Sequence, residues 1–196
     1  MLSPRDELFE AAMTPKAREY YENHFAPKYK KFQQAVREVP LTILIWGPGE
    51  SGGQLFQKRL QIRSLLRHEG YAAVFSEEID NDFPTTEKLS SKAKEFMQAL
   101  SADFIVVMQA SPGSTAEVHD FANFLGLIGP KMLIFLDSAH SDGYSYTGAL
   151  QELKTLFANV TLFKYPEDVD ECRLATAVLE KAAVLRIAKW RRSLEQ

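Results

Sequence analysis

Cysteine is nearly absent from this 196-residue chain: Cys172 stands alone, so no internal disulfide can form and export to an oxidising compartment is not expected. The four histidines, His24, His68, His119 and His140, are scattered singly, which removes zinc spacings such as CxxC and HExxH. No stretch approaches about 18 uncharged apolar residues, so no membrane span is expected. The opening Met1-Leu2-Ser3-Pro4-Arg5-Asp6 lacks the apolar run of a signal peptide. A basic excess is missing too. The formal net charge is −3, which argues against direct nucleic-acid binding through bulk electrostatics. Small phosphate-bearing ligands stay open, because backbone amides can hold them without a basic surface. These absences together lead to the expectation of a cytoplasmic protein.

What is present is an ordinary globular balance, 45% hydrophobic and 25% charged, of a length that fits one domain with additions. Residues 1–39 read as a helical extension. Ser3-Pro4-Arg5-Asp6 and Thr14-Pro15 are cap-plus-proline starts, and Ala26-Pro27 breaks or restarts the run. Lys28, Lys30, Lys31 and Arg37 give it a basic face, read as solvated. From Pro40 short apolar runs alternate with amphipathic ones. The predicted strands are 41–46, 71–75, 103–108, 132–136 and 160–163, and the predicted helices 54–69, 86–100 and 115–127. A last helix is predicted over 169–194, acidic at its start and basic at its end.

Strands that are continuously apolar and separated by helices imply a parallel sheet covered on both faces. The expected fold is therefore α/β, a flavodoxin- or Rossmann-like doubly wound sheet of five parallel strands with helical extensions at both ends. The expected core is residues 40–165, with 166–196 a C-terminal helix packing on it. In such sheets ligands bind outside the carboxyl ends of the strands. That rule selects the loops 47–53, 76–82, 109–117 and 137–146.

The first of these, Gly47-Pro48-Gly49-Glu50-Ser51-Gly52-Gly53, is not a P-loop. The lysine and hydroxyl residue that would meet phosphate and magnesium are replaced by Gly53-Gln54. Gly47, Gly49 and Gly52 do fit the GxGxxG spacing of dinucleotide-binding turns, and a tight strand-to-helix turn explains them equally. Glu78, with its neighbour Glu77, ends the second strand where an acidic residue can hold a ribose; Asp80 is a further candidate. In the third loop Pro112-Gly113 makes a turn, and Ser111, Ser114 and Thr115 offer hydroxyls beside the amides of a new helix. Glu117 falls in the first turn of that helix, where the positive end favours its ionised form. Ser114-Thr115-Ala116-Glu117 is also a capping box, so both a catalytic and a capping reading of Glu117 stand. Asp137, ending the fourth strand, could bind ribose hydroxyls or cap its loop. Tyr146 and Tyr144 could close over a base or simply pack. Asp120 and His119 are weaker candidates, and Cys172 is expected to pack within the last helix.

The Ser-Pro-Gly-Ser-x-x-Glu loop after an apolar strand, together with Ile43-Leu44-Ile45-Trp46-Gly47, Ala73-Val74-Phe75-Ser76-Glu77-Glu78 and Lys131-Met132-Leu133-Ile134, resembles the nucleoside 2-deoxyribosyltransferase-like family. The likeness covers about residues 41–155 and is closest to the branch found as effectors beside bacterial retrons and related antiviral systems. It implies cleavage of an N-glycosidic bond, with NAD as the favoured substrate and no cofactor. It implies Glu117 as the catalytic carboxylate acting at C1′ of the sugar. Substrate contacts would come from Gly47, Pro48, Gly49, Glu78, Ser111, Gly113, Ser114, Thr115, Asp137 and Tyr146. No metal is required, because departure of a cationic nicotinamide leaves a sugar cation that a carboxylate can stabilise. The implied partners are a nucleotide and a regulatory protein or nucleoprotein, with no direct nucleic-acid or membrane binding, and a homo-oligomeric state is expected. Transfer or hydrolysis on a deoxynucleoside is the alternative enzyme reading. A non-catalytic nucleotide-binding or scaffold protein is the alternative outside enzymes.

Overall fold

The structure is a computed structural model that describes residues 13–79, 90–109, 118, 121, 124, 126–140, 148, 150–157 and 159–195. The chain divides into two compact units, one of residues 1–39 with 187–196 and one of residues 40–186.

In the first unit Thr14 caps α1 (Pro15–Tyr20), its Oγ1 accepting the Ala17 N–H at 3.3 Å. A π-helical turn (Tyr21–Phe25) leads into α2 (Ala26–Arg37). Pro27 has no N–H to offer the preceding turn, and Ala26 instead donates to Tyr21 O across the widened turn. The expected break at Ala26-Pro27 is thus a change of helical pitch. Tyr21, Phe25, Tyr29 and Phe32 follow one another along this run as ring contacts, and Phe32 meets Trp190 edge-on at 5.0 Å. Lys28, Lys30, Lys31 and Arg37 are exposed.

The second unit is an α/β fold built on one five-stranded, all-parallel sheet: β1 (Thr42–Trp46), β2 (Ala72–Phe75), β3 (Phe104–Gln109), β4 (Met132–Asp137) and β5 (Val160–Phe163). The strand order is β2-β1-β3-β4-β5, the flavodoxin-like order. Its longer helices are α3 (Gly53–His68), α4 (Ser91–Ser101), α5 (Gln151–Phe157) and residues 173–186 of α6 (Arg173–Ser193). All six residues of β3 are buried, as the unbroken apolar run of a central strand requires. Alternate side chains serve two cores. Ile43, Ile45, Val106, Met108 and Phe135 pack with Leu55, Ile62 and Leu66 of α3 and with Leu174, Val178 and Ala182 of α6. Leu44, Trp46, Ile105, Val107 and Ile134 pack on the other face with Ala99 of α4, Leu153 of α5, and Val118 and Phe121. Trp46 stacks on Phe121 with ring centres 5.2 Å apart.

Burying Val, Ile, Leu and Phe side chains on both faces contributes about 1.5–3 kcal/mol each, so this double core outweighs any local propensity. Gly70, at φ +76°, follows the C-cap of α3 in the left-handed region that its missing Cβ permits.

Three elements depart from the sequence reading. The helix α5 was not expected, because only Leu153 of its seven residues is buried and its apolar pattern is short. The helix expected over 86–100 is observed from Ser91, with Ser90 Oγ accepting the Ala93 N–H as its cap; residues 86–89 lie outside the described part. The last helix, expected to run unbroken from 169, is two. A single turn (Glu167–Asp170) ends at Glu171-Cys172, and α6 starts anew at Arg173. The break is at Cys172, whose φ of +60° no continuing α-helix can hold. No helix among the described residues is long and apolar enough to cross a membrane.

Candidate functional site

Order reverses between β1 and β3: the chain leaves β1 towards the β2 edge and leaves β3 towards the β4 edge. In open parallel sheets such a reversal of order, outside the carboxyl ends of the strands, is where ligands bind. The loop after β1 is fully described, whereas that after β3 is described only to Gln109, a buried polar residue at the strand end.

Of the glycines after β1, three are explained by the fold itself. A Cβ on Gly47 would lie 3.1 Å from Cβ of Met108, and one on Gly52 would collide with the ring of buried Pro48. Gly53 sits at φ +57°. Gly49 differs: its φ is −72°, it is exposed, and a Cβ there would have nothing within 4 Å. Nothing among the described residues requires a glycine at that point. Close approach of a ligand to the backbone would require one. Behind it α3 begins with Gly52 as N-cap, a residue with no side chain to cap the first-turn amides.

Beneath this loop lies a residue that sequence reasoning missed. Arg59 of α3 is 1% exposed. Its Nη2 donates to Ile45 O at 2.8 Å and its Nη1 to Pro48 O at 3.4 Å. The same guanidinium grips Glu77 through both carboxylate oxygens at 2.8 Å and lies 4.0 Å above the Phe75 ring. A buried guanidinium thereby ties the end of β1 to the end of β2. Burial is the largest single influence on Glu77 and opposes its ionisation, but the hydrogen bonds from Arg59, a backbone N–H and Ser76 together with the Arg59 charge outweigh it and hold the carboxyl below its ordinary value.

Glu78 is engaged differently. Its Oε1 accepts from Arg63 at 2.6 Å, and its Oε2 from Arg67 at 3.2 Å and from the Phe75 N–H at 2.9 Å. Burial again works against the charge, and the Phe75 N–H with the two arginines more than reverses it, lowering the carboxyl below its ordinary range. Arg59, Arg63 and Arg67 recur every fourth residue and so share one face of α3, clasping the acidic pair that ends β2. That stripe was the available signal. Of the two acids, Glu77 keeps 60% of its side chain exposed and Glu78 keeps 38%. The geometry thus makes Glu77 the more accessible carboxylate beside the glycine loop.

Asp137 ends β4, and its Oδ1 accepts the Ala139 N–H at 3.0 Å, a loop-capping contact. Gly47, Pro48, Gly49, Glu78 and Asp137 thus all lie at carboxyl ends of the parallel sheet or in the loop leaving one. Ser111, Gly113, Ser114, Thr115, Glu117 and Tyr146 lie outside the described residues, as do Asp80, His119, Asp120 and Tyr144. Among the described residues no group of three or more His, Cys, Asp and Glu gathers as metal ligands. No protein-family model matches the chain, and no curated protein matches it significantly in sequence.

Proposed function

We propose that the protein binds a nucleotide at the carboxyl edge of its sheet and cleaves its N-glycosidic bond, with NAD as substrate. The observation carrying the binding half is the open glycine loop at the switch point. Among the described residues Gly49 has no neighbour to avoid, it has no left-handed backbone to adopt, and it lies three residues before the glycine N-cap of α3. Glu77, kept ionised by Arg59 and still largely exposed, supplies an acceptor for ribose hydroxyls at the neighbouring strand end. The cleavage half rests on the Ser111–Glu117 sequence and its resemblance to deoxyribosyltransferase-like proteins. In that reading the Glu117 carboxylate stabilises the cation developing at C1′ as nicotinamide departs, and water completes hydrolysis.

The test is incubation with NAD and, separately, with a panel of deoxynucleosides, following free nicotinamide and free base by chromatography. Nicotinamide release that disappears in Glu117→Gln, with the fold intact by circular dichroism, is the expected result. Base release from deoxynucleosides alone would move the substrate to the transferase class. Binding of NAD without turnover, unchanged in Glu117→Gln, would leave a nucleotide-binding protein in which Glu117 is a cap. Absence of both binding and turnover would overturn the proposal.

A further inference from the structure

A cavity of about 390 Å³ lies between the first turns of α3 and the segment that leaves β5, lined by Gln54, Gln57, Lys58 and Gln61 on one side and Asp170 and Cys172 on the other. Two features set it apart. Lys58 is 6% exposed, and among the described residues no carboxylate pairs with its ammonium. Its Nζ donates instead to Gln61 Oε1 at 2.7 Å and points to Cys172 Sγ at 3.4 Å. A buried ammonium without a counter-anion is costly, and its surroundings favour a negative charge opposite it. Two groups that can carry such a charge line the same cavity, the Cys172 thiol and the Asp170 carboxylate, and of these it is the thiol that Lys58 Nζ reaches.

Cys172 receives a second donor, Gln61 Nε2, at 3.5 Å. It sits immediately before α6, where the helix end also favours an anion. The hydrogen bonds from Gln61 and Lys58 and the Lys58 charge bring the thiol below its ordinary value; Asp170, on the same turn, opposes them. The neighbouring Arg173 is engaged by Asp168 and Glu171.

We propose that Cys172 and Lys58 form a thiolate–ammonium pair, and that the cavity is a site of thiol–disulfide exchange with small anionic disulfides. The thiolate attacks one sulfur of the incoming disulfide, whose S–S bond breaks as the Cys172 mixed disulfide forms. The displaced half leaves as a thiolate and takes a proton from solvent. Exchange removes the negative charge that faced Lys58, so an adduct carrying a carboxylate replaces it, whereas a neutral adduct leaves the ammonium uncompensated. This selects anionic partners.

Because Cys172 is the only cysteine, every adduct is read unambiguously from the intact mass. The full-length protein is treated with oxidised glutathione and with neutral 2-hydroxyethyl disulfide, each rate being referred to that of free cysteine. Wild type is expected to favour the glutathione disulfide. Lys58→Met should erase that preference and slow exchange at pH 7 by about five-fold or more, and Lys58→Arg should retain it. Equal relative rates in wild type, or a preference that survives in Lys58→Met, would overturn the proposal. Should Lys58→Met fail to fold, the pH–rate profile of wild-type alkylation by iodoacetamide decides. Reaction persisting below the range of an ordinary thiol supports the pair, and a profile like that of free cysteine refutes it.

Discussion

The clasp between Arg59 and Glu77 makes an asymmetric prediction, because the two partners differ so much in burial. Replacing Arg59 by methionine keeps much of the side-chain volume over Phe75 but takes the guanidinium donor away from Ile45 O and Pro48 O. An unsatisfied buried carbonyl costs about 1–3 kcal/mol. Methionine avoids the desolvation that a guanidinium suffers, which offsets part of that. Ile45 O, bonded at 2.8 Å, carries more of the loss than Pro48 O at 3.4 Å, and a net of about 3 kcal/mol follows. Glu77→Gln is milder. The amide oxygen still accepts from Arg59, and with 60% of the side chain exposed water screens the lost charge. About 1 kcal/mol is expected there.

Urea unfolding measures both. Of the two tryptophans, Trp46 is buried in β1 and Trp190 belongs to the other unit, so a Trp190→Phe background reports on the α/β unit alone. With a slope of about 2 kcal/mol per molar urea, Arg59→Met should lower the midpoint by roughly 1.5 M and Glu77→Gln by roughly 0.5 M. Equal losses in the two variants, or an Arg59→Met protein within 0.3 M or so of the background, would refute the assignment of Arg59 as the anchor of the β1 loop.

The glycines of that loop should separate in the same assay. Gly52→Ala drives a methyl into the Pro48 ring and is expected to cost about 1–3 kcal/mol, while Gly49→Ala should leave stability unchanged or slightly raised. Under the proposed function Gly49→Val nonetheless weakens nucleotide binding, which calorimetry would detect; unchanged affinity would remove Gly49 from the site. Glu77 and Glu78 both have folded-state pKa values below the ordinary 4.5. Their stabilisation is therefore complete above that value and is lost as pH falls through the depressed folded values. Urea midpoints taken from pH 7 down to pH 3 should decline less steeply in the Glu77→Gln/Glu78→Gln double variant than in wild type; parallel declines would show that other groups govern acid unfolding.

How much of this could be read from the sequence depended on how local each signal is. The five strands are runs of β-branched and apolar residues, and Gly70 terminates α3 by a rule that operates within one turn. Sheet order follows from the handedness and shortness of βα connections, so the carboxyl-edge loops could be named in advance. What escaped was set by tertiary contacts. Charged helix residues default to solvent, and nothing in Gln57-Lys58-Arg59-Leu60 marks two of them as buried; only the spacing of Arg59, Arg63 and Arg67 against Glu77-Glu78 hinted at it. Likewise the acidic stretch 167–171 reads as the start of one long helix. The break depends on Asp168, which accepts the Lys164 N–H and holds Arg173, and on a cysteine in the left-handed region it rarely adopts.

These two surprises share a physical basis. A helix that flanks an open sheet ordinarily turns its charges outward, yet α3 buries two consecutive cations, Lys58 and Arg59. Each is tolerated because it faces polar atoms at the edge of the sheet's covering layer. Arg59 meets backbone carbonyls where β1 ends and the acid that follows β2. Lys58 meets the carboxamide of Gln61 and the sulfur at the break before α6. The difference between them lies in neutralisation. Arg59 has a carboxylate in bidentate contact, so its role is to hold the β1 loop, and the exposed residues of that loop are left to their backbone amides. Lys58 has none among the described residues, so its charge is the one that remains to be answered, by the Cys172 thiolate or by whatever anion takes the thiolate's place.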